Sequence, residues 1–131
     1  MNPYHILYFF LYKFIKITTK QSLQNHVKPS TDALFFICLF HNFNMILILS
    51  HSIKYLPSLK IFFVLTYLVP AISLYYFNKR HFSTNDRYLR IETKYDSKFK
   101  LSKVSFIAIA IVYIFLSIAG MLIAGIYYSL L

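Results

Sequence analysis

Residues 104–131 read VSFIAIAIVYIFLSIAGMLIAGIYYSLL, a run without a single charged side chain. As an α-helix this run would be about 42 Å long, whereas the hydrocarbon core of a bilayer is about 30 Å thick. We therefore expect a transmembrane helix over residues 104–126, with Tyr127 and Tyr128 at the interface, where aromatic rings are enriched.

Two more uncharged runs precede it. Residues 33–50 read ALFFICLFHNFNMILILS, and residues 61–77 read IFFVLTYLVPAISLYYF and end in an aromatic cluster typical of a headgroup boundary. Each run approaches the length that a helix needs to cross a bilayer. The sequence thus predicts an all-α integral membrane protein with three transmembrane helices, in a single membrane domain over residues 1–131.

The composition excludes an ordinary soluble domain. Apolar residues make up 58% of the chain and charged residues 14%, whereas soluble domains have about 45–50% and about 25%. The formal net charge of +10 would suggest a nucleic-acid partner for a soluble protein. Here the abundance of Phe, Tyr, Ile, Asn and Lys is typical of an A/T-rich gene, so we expect no nucleic-acid partner.

The positive charges are distributed unequally between the two predicted sides of the membrane. Residues 1–32 carry four Lys and residues 78–103 carry eight Lys or Arg, whereas the segment between the first two spans carries only Lys54 and Lys60. Because basic flanking residues stay on the cytoplasmic side, we expect the N-terminal end inside and the C-terminal end outside. The predicted location is a bacterial cytoplasmic membrane, with an organellar membrane as the alternative.

The N-terminal segment, residues 1–32, is predicted to contain an interfacial amphipathic helix followed by a linker. The apolar stretch ahead of Lys13 is too short to cross a membrane, and Lys13, Lys16 and Lys20 recur at helical spacing. Residues 3–19 could form a fourth span instead, but two lysines inside that range disfavour it. We expect no signal-peptide cleavage, because the features of a cleavable signal are absent from this segment.

The segment between the second and third spans, residues 78–103, is predicted to be a basic amphipathic arm. Thr84 is the predicted N-cap of its helix, with Asp86 in the first turn, where the helix dipole favours an anion. The helical phase of the arm continues into residues 104–126, so we expect the third helix to extend without a break into this cytoplasmic arm. The apolar stripe of the arm consists of Tyr88, Ile91, Tyr95 and Phe99.

The basic residues on the predicted inner side are expected to contact anionic lipid headgroups, each contributing about 1 kcal/mol of attraction near the surface. The predicted lipid-contacting residues are Lys13, Lys16, Lys20, Arg87, Arg90, Lys94, Lys98, Lys100 and Lys103.

A layer of polar side chains is predicted near the middle of the three spans. Unpaired polar groups are costly at that depth, so these side chains should face protein. The layer could fix the register of the helices or form a binding or proton-handling site, and we favour the first interpretation because no span contains a carboxylate. The predicted layer consists of His41, Asn42, Asn44, Thr66, Pro70, Tyr113 and Ser117.

Small residues also mark one face of the third span. Ser117, Gly120 and Ala124 recur at spacings of three and four, which lets helix backbones approach closely. This groove could pack against the other spans of the same chain, or against a second copy or a partner.

Residues with catalytic or metal-binding chemistry are sparse. Cys38 and His41 are too few for a zinc site, and His5, His26, His51 and His81 are expected to be scattered near the interfaces. Glu92 and Asp96 are expected to lie on a solvated surface among basic neighbours. No catalytic residue, metal or cofactor is therefore predicted.

Two functions are compatible with this sequence. The first is a non-enzymatic protein that binds a membrane partner through its helices, as an accessory subunit or an immunity-type protein does. The alternative is a homo-oligomeric, holin-like pore or a membrane-disrupting effector, which the apolar outer half of the first span disfavours. A lipid-modifying enzyme is disfavoured because an acid, a base and a nucleophile are not found together at an interface.

Overall fold

The structure is a computed structural model that describes residues 1–49 and 68–130. Each element in these two ranges is helical, as the all-α prediction requires. The α-helices are α1 (Pro3–Thr18), α2 (Val27–Leu49), α3 (Val69–Ser83), α4 (Arg87–Asp96) and α5 (Lys103–Leu130), and short 3₁₀ turns lie at Gln21–His26 and Thr84–Asp86.

Within the described ranges, α5 is the one helix that is long and apolar enough to cross a membrane, over Lys103–Tyr127. Only 17% of the most apolar stretch of this helix is buried inside the chain. Most of the predicted second span, including Thr66, and the segment between the first two spans lie outside the described residues.

The N-terminal segment forms a helix where one was predicted, and α2 then begins at Val27, ahead of the predicted span. Two local contacts stabilise this early start. Thr31 Oγ1 donates to the Val27 carbonyl at 2.7 Å, and Lys28 Nζ pairs with Asp32 Oδ2 at 2.5 Å, one turn apart. The linker between α1 and α2 is therefore short, which holds α1 close to the start of α2.

Helices α2 and α3 pack in opposite directions. Phe35 near the start of α2 contacts Phe82 near the end of α3, with 5.5 Å between the ring centroids. Phe43, farther along α2, lines the same apolar pocket as Pro70 at the start of α3. The start of α2 and the end of α3 therefore lie at the same end of the bundle.

Helix α1 packs across this end. We call the layer formed by α1, α4 and the adjoining ends of α2, α3 and α5 the basal layer. The ring of Tyr8 stacks on Phe82 at 3.7 Å between centroids, and the ring of Phe9 contacts Tyr95 and Phe106 at 5.7 Å. The apolar face of α1 is therefore the centre of an aromatic core. The fully buried members from α1 are Tyr8, Phe9 and Leu11.

Ion pairs fix α4 against the other side of α1. Lys13 Nζ lies 2.7 Å from Asp96 Oδ2, and Lys16 Nζ lies 2.6 Å from Glu92 Oε1. Two of the lysines predicted to contact lipid thus have carboxylate partners within the chain. Asp96 is exposed, as expected, whereas the side chain of Glu92 is only 11% exposed, so the expectation of a solvated surface is wrong for Glu92.

The prediction of one continuous helix through the arm and the third span is wrong. Helix α4 ends at Asp96 and α5 begins at Lys103. Phe99, the aromatic residue of the break, packs onto α1, with 5.3 Å between its ring centroid and that of Phe10. Ser102 then caps α5, because its Oγ accepts a hydrogen bond from the Ser105 N–H at 3.2 Å.

The predicted role of Thr84 as an N-cap is also wrong, because Thr84 closes the preceding helix. Its Oγ1 donates to the Arg80 carbonyl at 2.7 Å, and its backbone leaves the helical region. Asn85 and Asp86 follow with φ values of 52° and 51°, a left-handed conformation that Asn and Asp tolerate better than most residues. These two residues change the direction of the chain, so that α4 packs against α1.

The effect of Ser102→Ala on stability should have opposite signs in a helix that begins after Ser102 and in one that continues through it. Ser102→Ala removes the cap of α5 and should lower the free energy of unfolding by about 1 kcal/mol. In a continuous helix the same change would stabilise, because Ala has the higher helix propensity. Thermal unfolding in detergent micelles, followed by circular dichroism, measures the difference. Ser97→Ala is the control, since Ser97 is exposed and its hydroxyl donates only to the Lys94 carbonyl.

Candidate functional site

Helices α2 and α5 form a close seam that contains the predicted small-residue groove. Ser117 and Ala124 are almost fully buried in the described chain. A Cβ atom added at Gly120 would lie 2.8 Å from Met45 Sδ on α2. The groove therefore packs, at least at Gly120, against a helix of the same chain.

One direct hydrogen bond from the predicted polar layer joins the two helices. Asn42 Nδ2 donates to the Tyr113 hydroxyl at 2.9 Å. Asn44 is also buried and donates to the Phe40 carbonyl of its own helix, while its Oδ1 has no hydrogen-bond partner among residues 1–49 and 68–130. The structure thus brings together Asn42 and Tyr113.

The remaining members of the predicted layer are placed differently. His41 Nδ1 lies 2.8 Å from the Ile37 carbonyl, so Nδ1 must carry the proton and the bond stays within α2. Pro70 is exposed and lines an apolar pocket of about 180 Å³ between α2 and α3. These contacts favour the interpretation of the seam as a packing feature, since His41 is bonded within its own helix. The bond from Asn42 to Tyr113 contributes little by itself, because a hydrogen bond between helices is worth about 0.6 kcal/mol on average in membranes.

A second cluster, which the sequence analysis missed, lies in the basal layer. His5 on α1 and His81 on α3 approach each other with 3.0 Å between their Nε2 atoms. Arg87 on α4 donates from Nη1 to His81 Nδ1 at 2.7 Å. The expectation that the histidines are scattered is therefore wrong for this pair. No local spacing could have predicted it, because 76 positions separate the two residues.

The side chain of Arg87 approaches both ring nitrogens of His81. Its Nη1 lies 2.7 Å from Nδ1 and 3.2 Å from Nε2. Arg87 is only a donor, so the ring nitrogen that accepts from it carries no proton. Burial, His81 and the positive charges of Arg87 and Lys94 lower the pKa of His5, and burial and Arg87 lower the pKa of His81. Both rings are therefore held in the neutral form more firmly than a free imidazole.

Two tyrosines surround the cluster with further hydrogen bonds. The Tyr4 hydroxyl donates to Asn78 Oδ1, and burial together with Asp32 raises the pKa of Tyr4 to about 12. The Tyr8 hydroxyl donates to Asp32 Oδ1 at 2.8 Å, and burial and this carboxylate raise the pKa of Tyr8. Asp32 is almost fully buried and is neutralised by Lys28.

The described ranges contain no group of three His, Cys, Asp or Glu side chains that could hold a metal ion. The histidine pair offers two nitrogen ligands, and the guanidinium of Arg87 beside it would repel a cation. Comparison of the chain with family models, with curated proteins and with solved structures gives no match.

The close approach of Gly120 to Met45 predicts a position-specific effect. Gly120→Leu should force α2 and α5 apart and lower the free energy of unfolding by about 1–3 kcal/mol. Gly125→Leu is the matched control, because nothing lies within 4 Å of the position that its Cβ would take. It should change stability by no more than about 0.5 kcal/mol. Equal losses for the two variants, measured by thermal unfolding in micelles, would contradict the packing of Gly120 against α2.

Proposed function

We propose that this chain is a small, non-enzymatic integral membrane protein that binds the helices of a membrane partner. It would act as an accessory subunit of a larger complex, or as an immunity-type protein that shields the membrane by binding a toxin. The proposed topology has three spans with the N-terminal end inside, and the proposed location is a bacterial cytoplasmic membrane.

The apolar surface of α5 is the observation that carries this proposal. Large apolar side chains are exposed from Val104 to Leu130, whereas small and polar ones such as Ser117 are buried. A continuous surface of this kind is unstable in water and marks a site of contact with lipid or with another protein. Between these two ends of α5, the most exposed large apolar side chains are Phe115, Leu116, Leu122, Ile123 and Ile126.

The directions of the helices support the proposed topology. Helices α2 and α5 both begin in the basal layer, and α3 ends there, as three successive spans require. The segments with the positive-charge excess, residues 1–32 and 78–103, also meet in this layer. The helix packing therefore brings the basic segments to one end of the bundle, and their charge supports the proposal that this end faces the cytoplasm.

The surface of the basal layer supports contact with anionic headgroups. In the part of the chain that the structure describes, the ion pairs use Lys13, Lys16 and Lys28. Other basic residues of this layer have no carboxylate partner there and attract an anionic leaflet. These residues are Lys20, Lys79, Arg80, Arg87, Arg90, Lys94, Lys98, Lys100 and Lys103.

The seam between α2 and α5 supports a partner protein over a pore. Asn42 and Tyr113 are half-buried and bonded to each other, and Ser117 is buried, so these polar groups point into the seam. The faces that α3 and α5 leave uncovered are mainly apolar, with Tyr76 and Phe77 exposed on α3. An apolar face fits lipid or an apolar helix and does not provide a lining for water.

The proposed topology predicts the activity of two alkaline-phosphatase fusions, since the reporter is active only outside the cytoplasm. A fusion after His26 should be inactive, and a fusion after His51 should be active. A fusion that is active after His26 and inactive after His51 would contradict the topology.

The proposed function predicts that induction in bacteria leaves the membrane potential intact and that a second membrane protein co-purifies in a mild detergent. Leu116→Ala with Ile123→Ala should reduce co-purification several-fold, because both side chains are more than half exposed at mid-depth on α5. Leu89→Ala with Leu101→Ala, at two exposed apolar positions outside α5, is the matched control. Prompt loss of the potential on induction would instead support the homo-oligomeric pore.

A further inference from the structure

Three nitrogen-bearing side chains from three helices meet in the basal layer. His5 Nε2 lies 3.0 Å from His81 Nε2, and Arg87 Nη1 lies 2.7 Å from His81 Nδ1. All three side chains are partly exposed, so a ligand from outside the chain can reach them. We propose that His5, His81 and Arg87 form a binding site for a phosphate group.

The cluster lacks a counter-charge. None of the ion pairs in residues 1–49 and 68–130 includes Arg87, and Lys94 on the same helix adds to the positive charge that His5 experiences. On α2 the nearest carboxylate, Asp32, is held by Lys28 and the Tyr8 hydroxyl. The acidic groups of α4, Glu92 and Asp96, are held by Lys13 and Lys16. Asp86 directly precedes Arg87 in the sequence, but it is exposed and forms no ion pair in the described part of the chain.

A phosphate group would supply that missing charge. The guanidinium of Arg87 presents several N–H donors in a fork that matches phosphate oxygens. Each imidazole that takes up a proton gains a further N–H donor. Asn78, one turn before His81 on α3, has a buried Nδ2 with no hydrogen-bond partner in the described chain. The polar groups around the histidine pair are therefore donors and cations, packed among the rings of Tyr4, Phe77 and Phe82.

A bound anion would reverse the electrostatics of the histidine pair. Burial and neighbouring positive charges now lower the pKa of both rings. A phosphate beside them would stabilise the imidazolium form and raise both pKa values. Binding would thus be accompanied by proton uptake near neutral pH, which distinguishes this site from a general attraction to the basic surface.

The phosphate could belong to a lipid headgroup or to a soluble molecule. His81 lies one helical turn beyond Phe77, where the predicted second span ends. If the chain inserts as proposed above, the cluster lies at the depth of the lipid phosphates. The choice of a lipid rests on the proposed membrane function, whereas the affinity for phosphate does not.

The test uses the full chain, labelled with ¹⁵N-histidine, in micelles of a neutral detergent. Sodium phosphate is titrated against sodium chloride at equal ionic strength, and the imidazole signals are followed by NMR. We expect a saturable shift of two signals, assigned with His5→Gln and His81→Gln, and an increase of about one unit in both apparent pKa values. A shift that sodium chloride reproduces would overturn the proposal.

Charge-matched variants separate the site from the surface around it. Arg87→Gln should weaken phosphate binding about tenfold or more, because a charge-assisted hydrogen bond is lost. Lys79→Gln removes the same charge from an exposed position on α3 and should weaken binding less than about twofold. Equal weakening by the two variants would overturn the proposal. Circular dichroism of each variant checks that the helices are retained.

A second titration distinguishes the two sources of phosphate. Micelles doped with phosphatidic acid are compared with micelles doped with phosphatidylcholine, whose phosphate carries a choline and no net charge. A response of the same two histidines to phosphatidic acid supports a lipid headgroup, and a response to inorganic phosphate alone supports a soluble ligand. A response to neither probe would overturn the site. Membrane insertion is measured separately by the reporter fusions, so the two proposals can fail independently.

Discussion

The stack between Tyr8 and Phe82 is the contact on which the basal layer depends. The two rings lie 3.7 Å apart at their centroids, and the hydroxyl of the same tyrosine is held by Asp32. One side chain of α1 therefore fixes its helix against both α3 and α2. Truncating a buried aromatic ring of this size costs about 3–5 kcal/mol, which is a large share of the stability of a small domain.

The position of the remaining elements follows from that contact. Once α1 lies across the end of the bundle, His5 reaches His81 on one side and Lys13 reaches Asp96 on the other. The ion pairs hold α4 against α1, and Arg87 at the start of α4 then reaches His81. The histidine cluster is thus a product of the whole basal layer and of no single segment.

The sequence predicted the helical class, the helix of the N-terminal segment and the apolar stripe of the arm, because each shows in the spacing of apolar residues along a short stretch of chain. The break between α4 and α5 escaped this reasoning for a physical reason. The ring of Phe9 contacts Tyr95 before the break and Phe106 after it. Since both segments present apolar side chains to the same partner, the apolar period continues although the helix does not. The local signal was Ser102, a good N-cap residue followed by Ser105.

The candidate sites differ in how far the sequence could predict them. The small residues of the seam can be found from the sequence, because their spacing of three and four places them on one face of α5, and that face packs against α2. The histidine cluster depends on the fold of three separate helices, so the pairing of His5 with His81 cannot be deduced from neighbouring residues. Asp86 precedes Arg87 in the sequence, yet none of the ion pairs of the described chain joins the two.

In the proposed topology, depth separates the titratable groups of the basal layer from the seam. Charging a side chain within the hydrocarbon region is costly, and the Nδ1–H of His41 in α2 already donates a hydrogen bond to a carbonyl of its own helix. His5 and His81 lie in a layer that is rich in positive charge and partly open to the surroundings, where an external anion can offset the charge of an imidazolium. Because these two rings join α1 to α3, a change in their protonation acts on the contact between those helices. The neutral bond from Asn42 to Tyr113 does not respond to pH near neutrality, so it holds α2 against α5 whatever the state of the cluster.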